Sequence, residues 1–154
     1  MRKNVLVLSL LLCVAWAVAA SAGDNWVGTW KINTTKSDQG SGAVRATTLK
    51  FEATPEGVKF SSEGTDAEGK PTQGGYTSKF DGKDVPVTGN PMADTVSPKR
   101  IDDNTYENVW KKGGKPTVTV KVAVAKDGKT LTVTQDGTDP KGAKIHAVAV
   151  YDRQ

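Results

Sequence analysis

Apolar and polar residues alternate with a period of two along most of this chain, the spacing of strands whose side chains face opposite sides of a sheet. Trp26, Gly28, Trp30 and Ile32 share one parity against Val27, Thr29 and Lys31, which predicts a first strand over 26–32 with two indoles on one face. Gly28 removes a side chain between the indoles and lets another group approach the backbone there. The same alternation returns at Thr47, Leu49, Phe51 and Ala53, at Val58, Phe60 and Ser62, and at Tyr76, Ser78 and Phe80. After an interruption it resumes at Tyr106, Asn108 and Trp110, then at Val118, Val120, Val122 and Val124, at Leu131 and Val133, and at Ile145, Ala147, Ala149 and Tyr151.

Turn chemistry separates these runs. Pro55-Glu56-Gly57, Asp66-Ala67-Glu68-Gly69, Gly113-Gly114, Asp127-Gly128 and the segment from Gly137 to Gly142 supply residues that reverse a chain, and Asp81-Gly82 is a hairpin signal. Asn33 to Gly42 is polar and Gly-rich and reads as a loop crossing a sheet end. Between Lys83 and Lys99, Pro86, Asn90-Pro91 and Pro98 leave brief extended pieces at Val85–Val87 and Thr95–Val96. Helical periodicity is absent. Eight to ten strands joined by such turns predict an all-β antiparallel domain, a barrel or a sandwich. One internal similarity stands out: Glu63-Gly64-Thr65-Asp66-Ala67-Glu68-Gly69-Lys70 matches Asp136-Gly137-Thr138-Asp139-Pro140-Lys141-Gly142-Ala143 in turn pattern. Two similar hairpins explain it, as does duplication of a three-strand unit.

The first residues change the picture of compartment. Met1-Arg2-Lys3-Asn4, an uncharged run from Val5 to Ala20 and then Ser21-Ala22 have the pattern of a secretory signal peptide. The expectation is an exported chain, periplasmic or extracellular, with 1–22 removed and one domain over 23–154; cleavage after Ala20 is the second choice. The apolar run is too short to span a bilayer, so no transmembrane segment remains after cleavage. Cys13 leaves with the signal, so the mature domain has no disulfide and must be held by its core. Of the 21 basic residues Arg2 and Lys3 also leave, so 19 face 17 acidic residues, a net charge of +2. These charges are interspersed, which argues against nucleic acid.

Site chemistry is sparse. His146 is the only histidine and the mature domain lacks cysteine, so no metal constellation and no cofactor is expected. A nucleophilic triad would need His146 as its base, and no Gly-x-Ser-x-Gly elbow accompanies it. A non-catalytic protein is the expectation. Polar residues on the core parity point instead to binding. Ser62 follows Phe60, Ser78 lies between Tyr76 and Phe80, and Asn108 lies between Tyr106 and Trp110. A filled core penalises them; a cavity uses them, with Tyr76, Tyr106, Trp110 and Tyr151 as wall. The alternative is that they sit on the solvent side through a bulge or near strand ends.

The opening Val27-Gly28-Thr29-Trp30-Lys31-Ile32 resembles that of the calycins, the lipocalins, fatty-acid-binding proteins and avidins, which begin with a Gly-x-Trp strand closing one end of a barrel. The end, Val148-Ala149-Val150-Tyr151-Asp152-Arg153, is similar to the last strand of the fatty-acid-binding proteins. The resemblance implies a closed barrel, and Trp26, Gly28, Trp30 and Arg153 as a structural motif in which a late Arg packs over the first-strand Trp, with Arg100 as second candidate. The family's carboxylate-holding Arg is replaced by Ala149, and its two-helix lid has no counterpart in Asn33 to Gly42, so fatty acid does not carry over. The chain also resembles small exported bacterial lipocalin-like proteins in Gly-Thr-Trp-Lys, in the stretch Asp81 to Pro91 and in Asp94-Thr95; that resemblance implies no chemistry. The expectation is therefore a binding protein for a small, largely apolar molecule, with Tyr76, Ser78, Tyr106, Asn108, Trp110 and Tyr151 around it. The rival is a solid-core interaction or inhibitor module acting through the 83–99 loop.

Overall fold

The computed structural model describes residues 24–38, 40, 44–66 and 68–154. The expected export segment, 1–22, lies outside the described residues. Ten strands form one antiparallel sheet: β1 (Gly28–Ile32), β2 (Val44–Thr54), β3 (Gly57–Asp66), β4 (Pro71–Ser78), β5 (Val85–Pro86), β6 (Thr95–Arg100), β7 (Thr105–Lys112), β8 (Lys115–Val124), β9 (Thr130–Thr138) and β10 (Lys144–Arg153). Their order is β4-β3-β2-β1-β10-β9-β8-β7-β6-β5, so the first and last strands pair in the middle of the sheet. Trp30 stands opposite Arg153, and Ile32 opposite Tyr151. The sheet curls until its outer strands meet and forms a nearly closed barrel.

Closure rests on a short seam. Gly75 of β4 and Thr88, two residues beyond β5, exchange backbone hydrogen bonds of 3.1 and 3.0 Å. The backbones approach so closely that a Cβ on Gly74 would lie 2.6 Å from the Thr88 carbonyl oxygen, and one on Gly89, itself at φ +68°, 1.8 Å from that of Gln73. Below the seam the chain does not make the hairpin that Asp81-Gly82 predicts. Phe80 turns first, at φ 56°, and the crossing segment pairs with β6 instead: Asp81 bridges Lys99, and the Gly82 amide donates to Pro98 O at 2.8 Å. Pro98 does not end the strand as its residue type suggests. Its backbone polar edge faces this crossing segment, so the N–H it lacks is not one that β7 needs.

The interior follows the alternation. Val118, Val120, Val122, Val124, Leu131, Ile145, Ala147 and Tyr151 are buried as their parity predicts, with Leu49, Phe51 and Val58 opposite. Two positions depart. Thr47 is exposed because a bulge between Ala46 and Thr48 shifts the register, and Ala53 is exposed beside the Pro55-Glu56 turn. Trp26 is fully buried but precedes β1. Its stretch crosses the barrel end, with the Asn25 amide on Asp103 O at 3.0 Å and Asp24 paired to Arg100 Nη1 at 3.0 Å. The Trp26 indole packs on Phe80 and Tyr106 at centroid separations of 5.8 and 5.4 Å and plugs that end.

The two similar hairpins share one turn. Asp66 Oδ1 accepts the Glu68 and Lys70 amides, and Asp139 Oδ1 accepts those of Lys141 and Ala143. Asn33 is spent on structure, its Nδ2 donating to Asp152 Oδ2 at 2.7 Å and its Oδ1 accepting Thr35 and Lys36.

Candidate ligand cavity

Above the Trp26 plug the side chains do not fill the barrel. A cavity remains, with about 100 Å³ open to the centre of a water molecule, inside about 730 Å³ of atom-free space that includes its mouth. Its wall runs almost around the barrel: Ala46 and Leu49 from β2, Phe60 and Ser62 from β3, Gly74 to Tyr76 from β4, Val87 to Asn90 after β5, Val96 from β6, and Tyr106, Asn108 and Trp110 from β7. Val120 and Val122 of β8, Val133 and Gln135 of β9 and Tyr151 of β10 complete it. None of these residues is charged.

Five of the six expected site residues meet here: Tyr76, Tyr106, Asn108, Trp110 and Tyr151. Ser78 does not. It lies toward the plugged end, where its Oγ accepts the Phe80 amide at 3.0 Å and holds the turn that begins the crossing segment. The shared parity put Ser78 on the right face, but its height along the barrel removes it from the cavity.

Polar groups in the cavity are linked. Asn108 Nδ2 donates to the Tyr76 hydroxyl at 3.4 Å. Asn108 Oδ1 is buried without a hydrogen-bond partner. Tyr151 donates to Ala46 O at 3.0 Å. Burial raises the hydroxyl pKa of Tyr76, Tyr106 and Tyr151 well above the usual value near 10, so all three stay neutral across the physiological range. The site therefore presents apolar walls and uncharged polar groups.

Three features were not singled out from the sequence. Gln135 continues the Leu131 and Val133 parity inward, and that pattern could have found it. The Gly74-Gly75 and Thr88-Gly89 seam forms a wall one backbone thick, and an outer groove bounded by Lys59, Glu63, Gln73 and Pro86 lies against its far side. Only the pairing of distant segments produces it. The stretch 83–99 is committed to the barrel rather than being a free loop: Asp84 Oδ1 accepts Ser97 Oγ at 2.5 Å and Lys111 Nζ at 2.6 Å, and Met92 and Ala93 are buried. The Lys111 ammonium, with Ser97 beside it, lowers the Asp84 pKa. His146 faces outward, exposed, with Nδ1 2.7 Å from Asp136 Oδ1. Among the described residues no group of three or more His, Cys, Asp or Glu converges on a point.

At the plugged end, Arg153 lies over the Trp30 ring at 4.2 Å. Its Nε donates to Gly128 O at 2.7 Å, its Nη1 to Val27 O at 2.9 Å, and its Nη2 to Asn25 O. A Cβ on Gly28 would lie 2.6 Å from Nη1, which is the close approach that glycine was expected to permit. Arg100 sits over Trp26 at 5.7 Å.

Fold and cavity together define a ten-stranded antiparallel β-barrel with an interior pocket. No protein-family model matches the chain, and no curated protein does. Among solved structures, a redesigned β-barrel, mFAP1, bound to DFHBI, is similar at 14% identity and a TM-score of 0.45, over 84% of this chain and 95% of its own.

Proposed function

We propose that this protein is an exported, non-catalytic, lipocalin-like binding protein that holds a small, largely apolar molecule in its barrel. The observation that carries the reading is the cavity that the inward side chains leave in the barrel, walled by uncharged and mostly apolar residues. The calycin resemblance adds support through Arg153 and Trp30, which stack as a late Arg and a first-strand Trp do in that family. Export rests on the pattern of residues 1–22, and N-terminal sequencing of the protein secreted by an expressing host tests it.

A rival module acting through 83–99 calls for a packed interior, and the cavity speaks against that. The deciding experiment is native mass spectrometry of the purified chain, with a screen of apolar dyes and lipids against it and against Ser62→Phe, which fills the cavity. Binding by the native chain that Ser62→Phe abolishes is the expected result. No bound species from either approach overturns the reading.

A further inference from the structure

Resting on that reading, we infer that the ligand enters by the seam: β4 parts from the chain leaving β5, between Gly74-Gly75 and Thr88-Gly89, and the cavity runs into the outer groove. Room supplies the first argument. About 100 Å³ of the cavity is open to a water centre, less than the roughly 150 Å³ of an apolar cavity that holds one benzene. The closed barrel is therefore too small for an apolar ligand of even one ring, and part of its wall has to move. A mouth supplies entry without room, whereas a parting seam supplies both.

Position supplies the second. Phe60, Ser62, Gly74, Gly75, Tyr76 and Thr88 line the cavity and the outer groove alike, so this strip of wall lies between the two spaces. On its far side the groove has about 620 Å³ open to a water centre. Gly74, Gly75 and Gly89 leave the strip bare of side chains where the backbones approach most closely. Once the backbones separate, no side chain at these three positions blocks the way.

Strength supplies the third. Among the described residues, Gly75 and Thr88 form the one bridge between β4 and the chain leaving β5. Pro86 stands opposite Thr77 in the same register and has no N–H with which to extend the bridge into a ladder. The adjoining walls are continuous. β3 pairs with β4 from Val58 opposite Ser78 to Thr65 opposite Pro71, and β6 pairs with β7 from Thr95 opposite Lys111 to Arg100 opposite Tyr106. Local opening falls where backbone hydrogen bonds and packed side chains are fewest, and in this wall that is the seam. The opposite end is held shut by the fully buried Trp26 and by Arg153 on Trp30.

The test is stopped-flow fluorescence of the full purified chain with aminoanthracene, a neutral ring dye larger than the closed cavity. Two variants push the seam in opposite directions. Thr77→Cys with Pro86→Cys, in a Cys13→Ser background, staples it when oxidised. Gly74→Ala wedges it, since the new Cβ falls 2.6 Å from Thr88 O. The expected result is entry at least about tenfold slower in the oxidised staple and restored by dithiothreitol. Gly74→Ala takes up the dye faster than the native chain, with faster hydrogen exchange at the Gly75 and Thr88 amides. A control staple inside a full ladder, Lys50→Cys with Ser61→Cys, leaves the rate unchanged. If the seam staple does not close, Gly74→Ala decides; if neither variant is obtained, the native rate does. A native rate that levels off as dye concentration rises means that opening precedes entry, and one rising in proportion throughout overturns the inference. Equal entry with the seam stapled and free also overturns it and leaves the binding reading standing, with the mouth as the route. No dye bound by the native chain, while the dye and lipid screen finds another ligand, sinks this inference alone. No dye bound and a blank screen sinks both.

Discussion

The Arg153 guanidinium covers the outer face of Trp30 at 4.2 Å while its nitrogens gather carbonyls from Asn25, Val27 and Gly128. One side chain thereby ties the stretch before β1, the β8–β9 turn and the end of β10 to the plugged end of the barrel. Arg153→Ala is expected to lower the unfolding free energy in urea by about 1–3 kcal/mol, the sum of a cation–π contact and orphaned carbonyls. Arg153→Lys recovers only part of it, because an ammonium cannot reach three acceptors while stacked on the indole. Gly28→Ala should be destabilising in the native background and less so beside Arg153→Ala, since the Cβ collides with Nη1 at 2.6 Å. Additive losses in the double mutant would contradict this coupling.

The seam between Gly75 and Thr88 is the narrowest part of the hydrogen-bonded wall. Gly89→Ala places a methyl against the Gln73 backbone at a φ of +68°, and backbone atoms cannot step aside as a flexible side chain can. A loss of about 2–4 kcal/mol is expected. Hydrogen exchange at the Gly75 and Thr88 amides should accelerate more than at the β9–β10 ladder. Equal acceleration everywhere would mean that the seam does not open by itself.

All three tyrosines of the chain are buried at the core, and desolvation holds their folded pKa values above the usual one near 10. A raised pKa on an acid means that the folded state keeps its proton longer than the unfolded chain does. The stability involved is therefore intact below about pH 10 and is lost as pH rises beyond it. Tyrosinate absorbance should appear together with loss of the folded circular-dichroism signal. A gradual tyrosinate signal before unfolding would show that the hydroxyls reach solvent in the native barrel.

Ser78 and Asn108 are equally buried but differently placed, Ser78 outside the cavity and Asn108 in its wall. Ser78→Ala removes the acceptor that supports the Phe80 turn at φ 56° and is expected to cost about 1–2 kcal/mol with dye binding unchanged. Altered dye affinity at unaltered stability would place Ser78 back in the binding wall.

Much of this barrel was legible in its alternation. The parity of Tyr76, Tyr106, Asn108, Trp110, Gln135 and Tyr151 already put them on one face, and the Asp66 and Asp139 turns follow from side-chain geometry local to five residues. Thr47 escaped because a bulge adds one residue without leaving a mark in the period. The Asp81-Gly82 hairpin failed because a turn signal states that the chain bends, not which strand it meets next.

The sequence by itself determined that the domain is all-β, which residues face inward, and where most turns fall, because these depend on neighbours one or two positions apart. Only the tertiary structure decided that Gly75 meets Thr88, that Trp26 plugs one end, that Ser78 is packed away while Asn108 belongs to the cavity wall, and that Arg153 rather than Arg100 caps Trp30. The reason is that closure and cavity depend on register and stagger around ten strands. Whether the inward side chains fill the interior is a sum over residues far apart in the chain, and no local pattern records that sum.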